Sequence, residues 1–272
     1  MIPYVVFESF RLGPVTVYVW GLFVALGVLG GTLLAASRAK RRGIDPAQIF
    51  NLAIWVVVAG FLGARLWFLL EYGRDIGFTL GLVRAQDGGL SAVGGILGGL
   101  VGGWWYLRRH ALAFGQLADI VAPGMLLGEG IGRLGCFSIH DHLGRPTAFP
   151  LSVNVFGVPR HDVGLELSLA GLAGALVLLL WERFGARPSK LAERSGARHT
   201  AGLGGVFALI WYALTRFSLD FLRATDLPVV DRRYGGLTLA QVAAIVGLCL
   251  GIGLFLRLQK KTRHVPRKAA GG

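Results

Sequence analysis

Three arginines, Arg65, Arg133 and Arg216, fall inside long apolar stretches of this 272-residue chain. An ionisable side chain within a membrane span is costly enough to mark a functional site by default. A guanidinium presents a fixed fork of donors that matches phosphate oxygens, so arginines meeting at headgroup level would suit an anionic phospholipid. A competing reading is that each arginine snorkels to the interface or is paired within its own helix. Partners are in reach, because Glu129 lies four residues before Arg133, and Asp220 lies four after Arg216 and three before Arg223.

The elements that must position these arginines are transmembrane helices. Hydrophobic residues make up 54% of the chain, charged residues 16%, and the mean hydropathy is +0.59, which excludes an ordinary soluble domain. A bilayer core needs about 20 apolar residues per helix. About seven such runs are found, near Val15–Ala36, Ile49–Leu70, Leu90–Tyr106, Leu117–Phe137, Gly164–Trp181, Leu203–Leu222 and Leu237–Leu256. The expectation is an all-α, polytopic membrane protein, a single transmembrane domain over residues 1–272. The first run is too long, and too closely followed by Arg38, Lys40, Arg41 and Arg42, for a cleaved signal peptide, and it reads as a retained anchor.

The net charge of +13 is a matter of topology. The first, third and fifth connections and the tail carry about twice as many cationic residues as the opposite side, so the N-terminus is expected outside and the C-terminus in the cytoplasm. The basic tail, 257–272, would rest on anionic lipid. No basic module with interleaved aromatics accompanies the charge, so nucleic acid is not an expected partner. In this topology the helices bearing Arg65, Arg133 and Arg216 all run outward, and each arginine lies roughly 6 to 10 Å below the outer end.

Residues 138–163 form a long extracytoplasmic connection that carries His140, Asp141, His142, Arg145 and His161, with a strand-like Leu151–Phe156, and it reads as an ordered lid. The fifth connection, Glu182–Thr200, is basic and polar and carries no expected chemistry. In the third helix Gly94, Gly98 and Gly102 form one row and Gly95, Gly99 and Gly103 the next, spacing that lets helix backbones approach closely in lipid. A dinucleotide loop would need a strand before these glycines, which the context denies. Cys136 and Cys249 lie on different segments with no spacing motif, so neither a metal site nor a disulfide is expected, and no cofactor is. Without repeated halves or an interrupted helix pair, a small transporter is disfavoured.

Several ordered motifs carry a family resemblance. They run from Trp20-Gly21-Leu22 through Arg41-Arg42-Gly43-Ile44-Asp45-Pro46 and Gly63-Ala64-Arg65-Leu66 to Leu237-Thr238-Leu239-Ala240-Gln241. The most specific are Gly132-Arg133-Leu134-Gly135-Cys136-Phe137, continued to Leu143-Gly144-Arg145, and Tyr212-Ala213-Leu214-Thr215-Arg216-Phe217 with Asp220, Arg223 and Asp226; Pro159-Arg160-His161 with Leu165-Glu166 is a weaker echo. The chain resembles the bacterial prolipoprotein diacylglyceryl transferases over nearly its whole length. The resemblance implies transfer of a diacylglyceryl group from phosphatidylglycerol to the lipobox cysteine thiol of a prolipoprotein, at the outer face of the inner membrane, with release of glycerol phosphate. The implied partners are phosphatidylglycerol and the prolipoprotein signal peptide. Arg133, Arg216 and Tyr212 become the expected catalytic residues, and Gly94, Gly95, Asp141, Gly144 and Arg223 substrate-binding positions. Arg65 joins the substrate-binding set on its depth alone.

The chain also departs from the family pattern. The segment Gly88-Gly89-Leu90-Ser91-Ala92-Val93-Gly94-Gly95 places Val93 where the family has its proposed catalytic histidine. Cys136 and Ile139 replace family asparagines, Asp141 replaces the signature glutamate, and Val19-Trp20-Gly21 stands for Trp-Tyr-Gly. Three readings follow: the thiol ionises without a dedicated base near the arginines; His140, His142 or His161 replaces the missing group; or the chain is a divergent paralogue that transfers lipid to another acceptor, or a non-catalytic phospholipid-binding membrane protein.

Overall fold

The computed structural model describes residues 1–76, 91–185, 201–227 and 233–263. Most of the basic fifth connection (186–200), the segment Gly88–Leu90 and the end of the tail (264–272) lie outside the described residues. Seven α-helices are described: α1 Val19–Arg41, α2 Pro46–Ile76, α3 Ala92–Arg109, α4 Phe114–Ile139, α5 Val163–Gly185, α6 Leu203–Leu219 and α7 Leu239–Arg263. Six of them are long and apolar enough to cross a membrane, the architecture of a polytopic membrane protein. The helix outside that set is α3, whose 18 residues are diluted by glycine and end in Arg108 and Arg109. Large apolar side chains stand exposed along these helices, as lipid-facing surfaces require.

The described residues are mostly helical, and short strands flank the helices. They are β1 Ile2–Pro3, β2 Ser9–Leu12, β3 Val15–Tyr18, β4 Leu143–Pro146, β5 Val153–Val155, β6 Val158–Asp162, β7 Arg233–Tyr234 and β8 Leu237–Thr238. The first apolar run was expected to be helical from Val15, but Val15-Thr16-Val17 is β-branched and pairs antiparallel with β2, so the helix begins at Val19. Likewise Leu237 and Thr238 belong to the β7–β8 hairpin rather than to the last helix, and its turn uses Gly235 and Gly236 at φ +58° and +84°. The last helix runs on to Arg263, through the first part of the expected tail. The connection between α4 and α5 supplies β4, β5 and β6 to a four-stranded sheet in the order β1-β5-β6-β4, with β1 parallel to β5 and the other pairs antiparallel.

The chain divides into two compact units, residues 36–114 and the remainder. In the first, α2 and α3 pack through glycine. A Cβ on Gly63 would stand 2.8 Å from the Gly98 Cα, and one on Gly102 3.0 Å from the Trp55 carbonyl oxygen. At Gly95, Gly99 and Gly103 the nearest atoms are 3.3 to 3.6 Å away, so the row Gly94, Gly98, Gly102 makes the close approach. Arg65 stands on α2, half-buried, with its guanidinium 5.7 Å from the Phe68 ring centre.

In the larger unit α1 meets α4 at paired glycines, since a Cβ on Gly128 would lie 2.8 Å from the Gly27 carbonyl oxygen. A small core joins Ala122 and Leu126 of α4, Ala175 and Leu178 of α5 and Ala208 of α6, flanked by Phe207 and Trp211. The Trp211 indole N–H donates to the Ala170 carbonyl at 2.9 Å, and the Ser168 hydroxyl donates to the Gly130 carbonyl at 2.7 Å. These bonds fix α5 against α4 and α6, the two helices that carry Arg133 and Arg216.

Candidate active site

The larger unit gathers Arg133, Tyr212, Arg216 and Arg223. Arg133 projects from the last turns of α4, where Glu129, one turn earlier, accepts from its Nε at 2.7 Å. Arg133 Nη1 lies 3.8 Å from the Cys136 sulfur and 3.5 Å from His142 Nε2. Tyr212, from α6, lies within electrostatic reach of both Arg133 and Arg216.

On the α6 side, the buried carboxylate of Asp220 organises two arginines. Its Oδ1 is 3.5 Å from Arg216 Nη2 and 3.0 Å from Arg223 Nε. The helix ends there in a single 3-10 turn, Asp220–Leu222, which swings Arg223 back over the same carboxylate. The Thr238 hydroxyl donates to Asp220 Oδ2 and also accepts from the Gln241 backbone N–H at 3.2 Å. Gln241 Oε1 returns the bond to the Thr238 N–H at 3.0 Å, a capping box that begins α7. The Gln241 amide also donates to the Phe217 carbonyl at 3.2 Å, so the capped end of α7 is pinned to α6 beside the arginines.

Helix pairing and a phosphate site are therefore not rivals here. The carboxylates orient the forks, and one donor of Arg216 stays open. Arg216 Nη1 is buried without a hydrogen-bond partner among the described residues, a costly arrangement for a charged donor unless a ligand completes it. Burial pushes the Arg223 guanidinium below its ordinary value; Asp220 opposes that shift, and the like charges of Arg216 and Arg133 add to it. A cluster of cations in that condition favours an added anion.

The stretch after α4 lies beside Arg133. Asp141 Oδ1 lies 2.7 Å from His142 Nδ1. Gly144 sits where β4 meets the segment after the 3-10 turn: it bridges Arg223, and a Cβ would stand 2.6 Å from the Leu222 carbonyl oxygen. Arg160 locks this approach, donating to the Gly144 carbonyl at 3.1 Å and to both carboxylate oxygens of Asp226. Outside the spanning helices, that bidentate bond holds the Asp226 carboxyl below its usual range and raises Arg160 above its own.

Of the residues expected from sequence, Arg133, Tyr212, Arg216, Arg223, Asp141 and Gly144 share this unit. Arg65, Gly94 and Gly95 belong to the other unit, where Gly94 packs directly on α2. Cys136, Asp141 and His142 place ligating atoms within 4.8 Å of one another, but the Arg133 guanidinium in their midst opposes a metal cation. The contact of His142 with Arg133 and the Thr238–Gln241 anchor are functional features that spacing did not reveal.

Comparison with known proteins bears on this cluster. A family model described as prolipoprotein diacylglyceryl transferase matches residues 8–257. Relatives named phosphatidylglycerol–prolipoprotein diacylglyceryl transferase include one from Pseudomonas paraeruginosa, 32% identical over 96% of both chains. Others come from Chromohalobacter salexigens, 34% identical over 90% of both chains, and Thermosynechococcus vestitus, 32% identical over 95% of this chain and 94% of the relative.

Proposed function

The chain belongs to the prolipoprotein diacylglyceryl transferase family, and from that premise we propose that it transfers the diacylglyceryl group of phosphatidylglycerol to the lipobox cysteine of prolipoproteins. The observation that carries the reading is the cluster of Arg133 and Arg216, each steadied by a carboxylate one turn away and both acting on Tyr212, with Arg216 Nη1 buried and without a hydrogen-bond partner among the described residues. Their guanidiniums suit a phosphodiester and would stabilise the charge that grows on its oxygen as the glyceryl carbon–oxygen bond breaks. Arg223, Asp141 and Gly144 are the substrate positions beside them, while Arg65, Gly94 and Gly95 belong to the other unit.

The protein is a multi-pass inner-membrane enzyme of seven spans, with α3 as the seventh. The distribution of lysine and arginine supports an external N-terminus and cytoplasmic C-terminus, which sets the arginine cluster at the outer leaflet and makes residues 138–163 a lid over it. The second substrate is then the signal peptide, entering from the lipid with its cysteine at headgroup depth.

The test is a single-turnover assay with purified protein in phosphatidylglycerol nanodiscs, a lipobox peptide, and mass detection of the thioether product. Arg133→Ala and Arg216→Ala should each slow turnover by about 10²–10³-fold. Lipid retained by the wild-type protein without any product would instead favour a non-catalytic phospholipid-binding protein, a reading motivated by Val93 at the family's histidine position.

A further inference from the structure

Resting on the transferase reading, we propose that His142, oriented by Asp141, is the group that takes the proton from the acceptor thiol in this protein. Val93 has no proton-accepting atom, so any base must come from elsewhere in the chain. Three histidines follow α4 closely, and the structure gives them different surroundings.

His140 is structural. Its Nδ1 is 2.7 Å from Asp162 Oδ2, both side chains are almost fully buried, and its ring is packed by Tyr4 at 4.9 Å and Phe137 at 5.1 Å. This pair ties the end of α4 to β6. His161 is held in the same manner, with Nδ1 bonded to Glu166 at the start of α5 and its ring stacked on Phe149. His142 differs. Its Nδ1 lies 2.7 Å from Asp141 Oδ1 but outside hydrogen-bond geometry, without a partner among the described residues, while Nε2 accepts from Arg133 Nη1 at 3.5 Å, the outer limit of a hydrogen bond. The adjacent carboxylate favours a proton on Nδ1 and leaves the lone pair on Nε2, where the acceptor thiol would displace the long contact to Arg133. Among the described residues, His142 is the histidine whose ring contacts Arg133.

The step balances without a co-reactant. The thiol S–H bond breaks and its proton passes to His142 Nε2. The sulfur lone pair forms the S–C bond to the glyceryl carbon, the C–O bond to phosphorus breaks, and its electron pair leaves on the phosphate oxygen. The imidazolium then returns the proton to the departing glycerol phosphate. Arg133 serves both halves, since it touches the base and binds the leaving group. Asp141 is a positioning residue, one carbon shorter than the family's glutamate and adjacent in sequence to the histidine it holds.

The experiment compares wild-type protein, His142→Ala and Asp141→Asn in the nanodisc assay, with and without added imidazole, and measures the phosphatidylglycerol retained by each. His142→Ala is expected to lose about 10²–10⁴-fold in rate while retaining lipid, and to regain activity with imidazole. Asp141→Asn should lose less, and imidazole should not improve it. A His142→Ala protein that turns over at the wild-type rate overturns the base assignment and leaves the transferase reading standing. A slow variant that imidazole does not restore, or one that has lost its lipid, makes His142 structural and also overturns it. Absence of product from the wild type defeats the transferase reading itself, and the assignment with it.

Discussion

Thr238 caps the first turn of α7 and, with the same hydroxyl, donates to the buried carboxylate of Asp220, which holds Arg216 and Arg223. A helix start is thereby coupled to the orientation of two cations. Thr238→Val keeps the shape and removes the donor, leaving a carboxylate of 0% side-chain exposure short of one partner. The expected loss is about 1–3 kcal/mol of stability, and Asp220→Ala, which removes the buried carboxylate that two arginines share, should cost about 3–5 kcal/mol. Thermal unfolding in detergent measures both. If Thr238→Ser fails to recover what Thr238→Val loses, the hydroxyl is not the cause.

The glycine rows of α3 make a prediction by contrast. A Cβ at Gly98 would lie 3.0 Å from the Gly63 Cα, whereas at Gly99 the nearest atom, on Val56, is at 3.5 Å. Gly98→Ala should destabilise the α2–α3 pair by roughly 1–3 kcal/mol, and Gly99→Ala should be neutral or stabilising because alanine is the better helix former. Equal effects in the two variants would show that close backbone approach is not what these glycines provide.

This contrast shows what was legible in the sequence. The four-residue glycine spacing announced close helix packing, but which row faces α2 depends on a rotation that only tertiary contact sets. Helix positions were visible because apolar length is a local property, while the strands at Val15–Tyr18 and Leu237–Thr238 were absorbed into apolar runs of the same composition. The arginines stood out because charge is costly in lipid. Their carboxylates were found because they lie one turn away, and Thr238 was missed as a partner because it lies 18 residues from Asp220. Asp119 makes the same point: its buried carboxylate accepts from the N–H groups of Gly202, Gly204 and Gly205 at the start of α6, a cap supplied from 83 residues away at its nearest.

The Arg160–Asp226 clamp predicts acid sensitivity where β4 meets the segment after the 3-10 turn. Because the folded Asp226 carboxyl is held below its usual range by the Arg160 hydrogen bonds, its contribution is fully present above the ordinary aspartate pKa of about 3.9 and is lost as pH falls through the lower folded value. The Ala224 amide, which donates to the Leu143 carbonyl at 3.2 Å, should lose protection against hydrogen exchange, relative to its intrinsic rate at each pH, over that acid window in the wild-type protein. In Asp226→Asn it should already lack protection at neutral pH and show no such step. An unchanged step in the variant would assign the effect to another carboxylate.

The last prediction concerns the fork of Arg216. Its Nη2 lies 3.5 Å from Asp220 Oδ1, and its buried Nη1 is without a hydrogen-bond partner among the described residues. If charge alone were required, Arg216→Lys would preserve lipid binding, because lysine carries the same charge on a long stem. A guanidinium can instead spend one nitrogen on Asp220 and keep a second for phosphate, a division that the single ammonium of lysine cannot reproduce at the same geometry. Arg216→Lys should therefore weaken phosphatidylglycerol retention and slow turnover by about 10–100-fold, the worth of one hydrogen bond to a charged group. Native mass spectrometry reports the bound lipid and the thioether assay reports the rate. Wild-type values for both in Arg216→Lys would show that Nη1 does not meet the substrate.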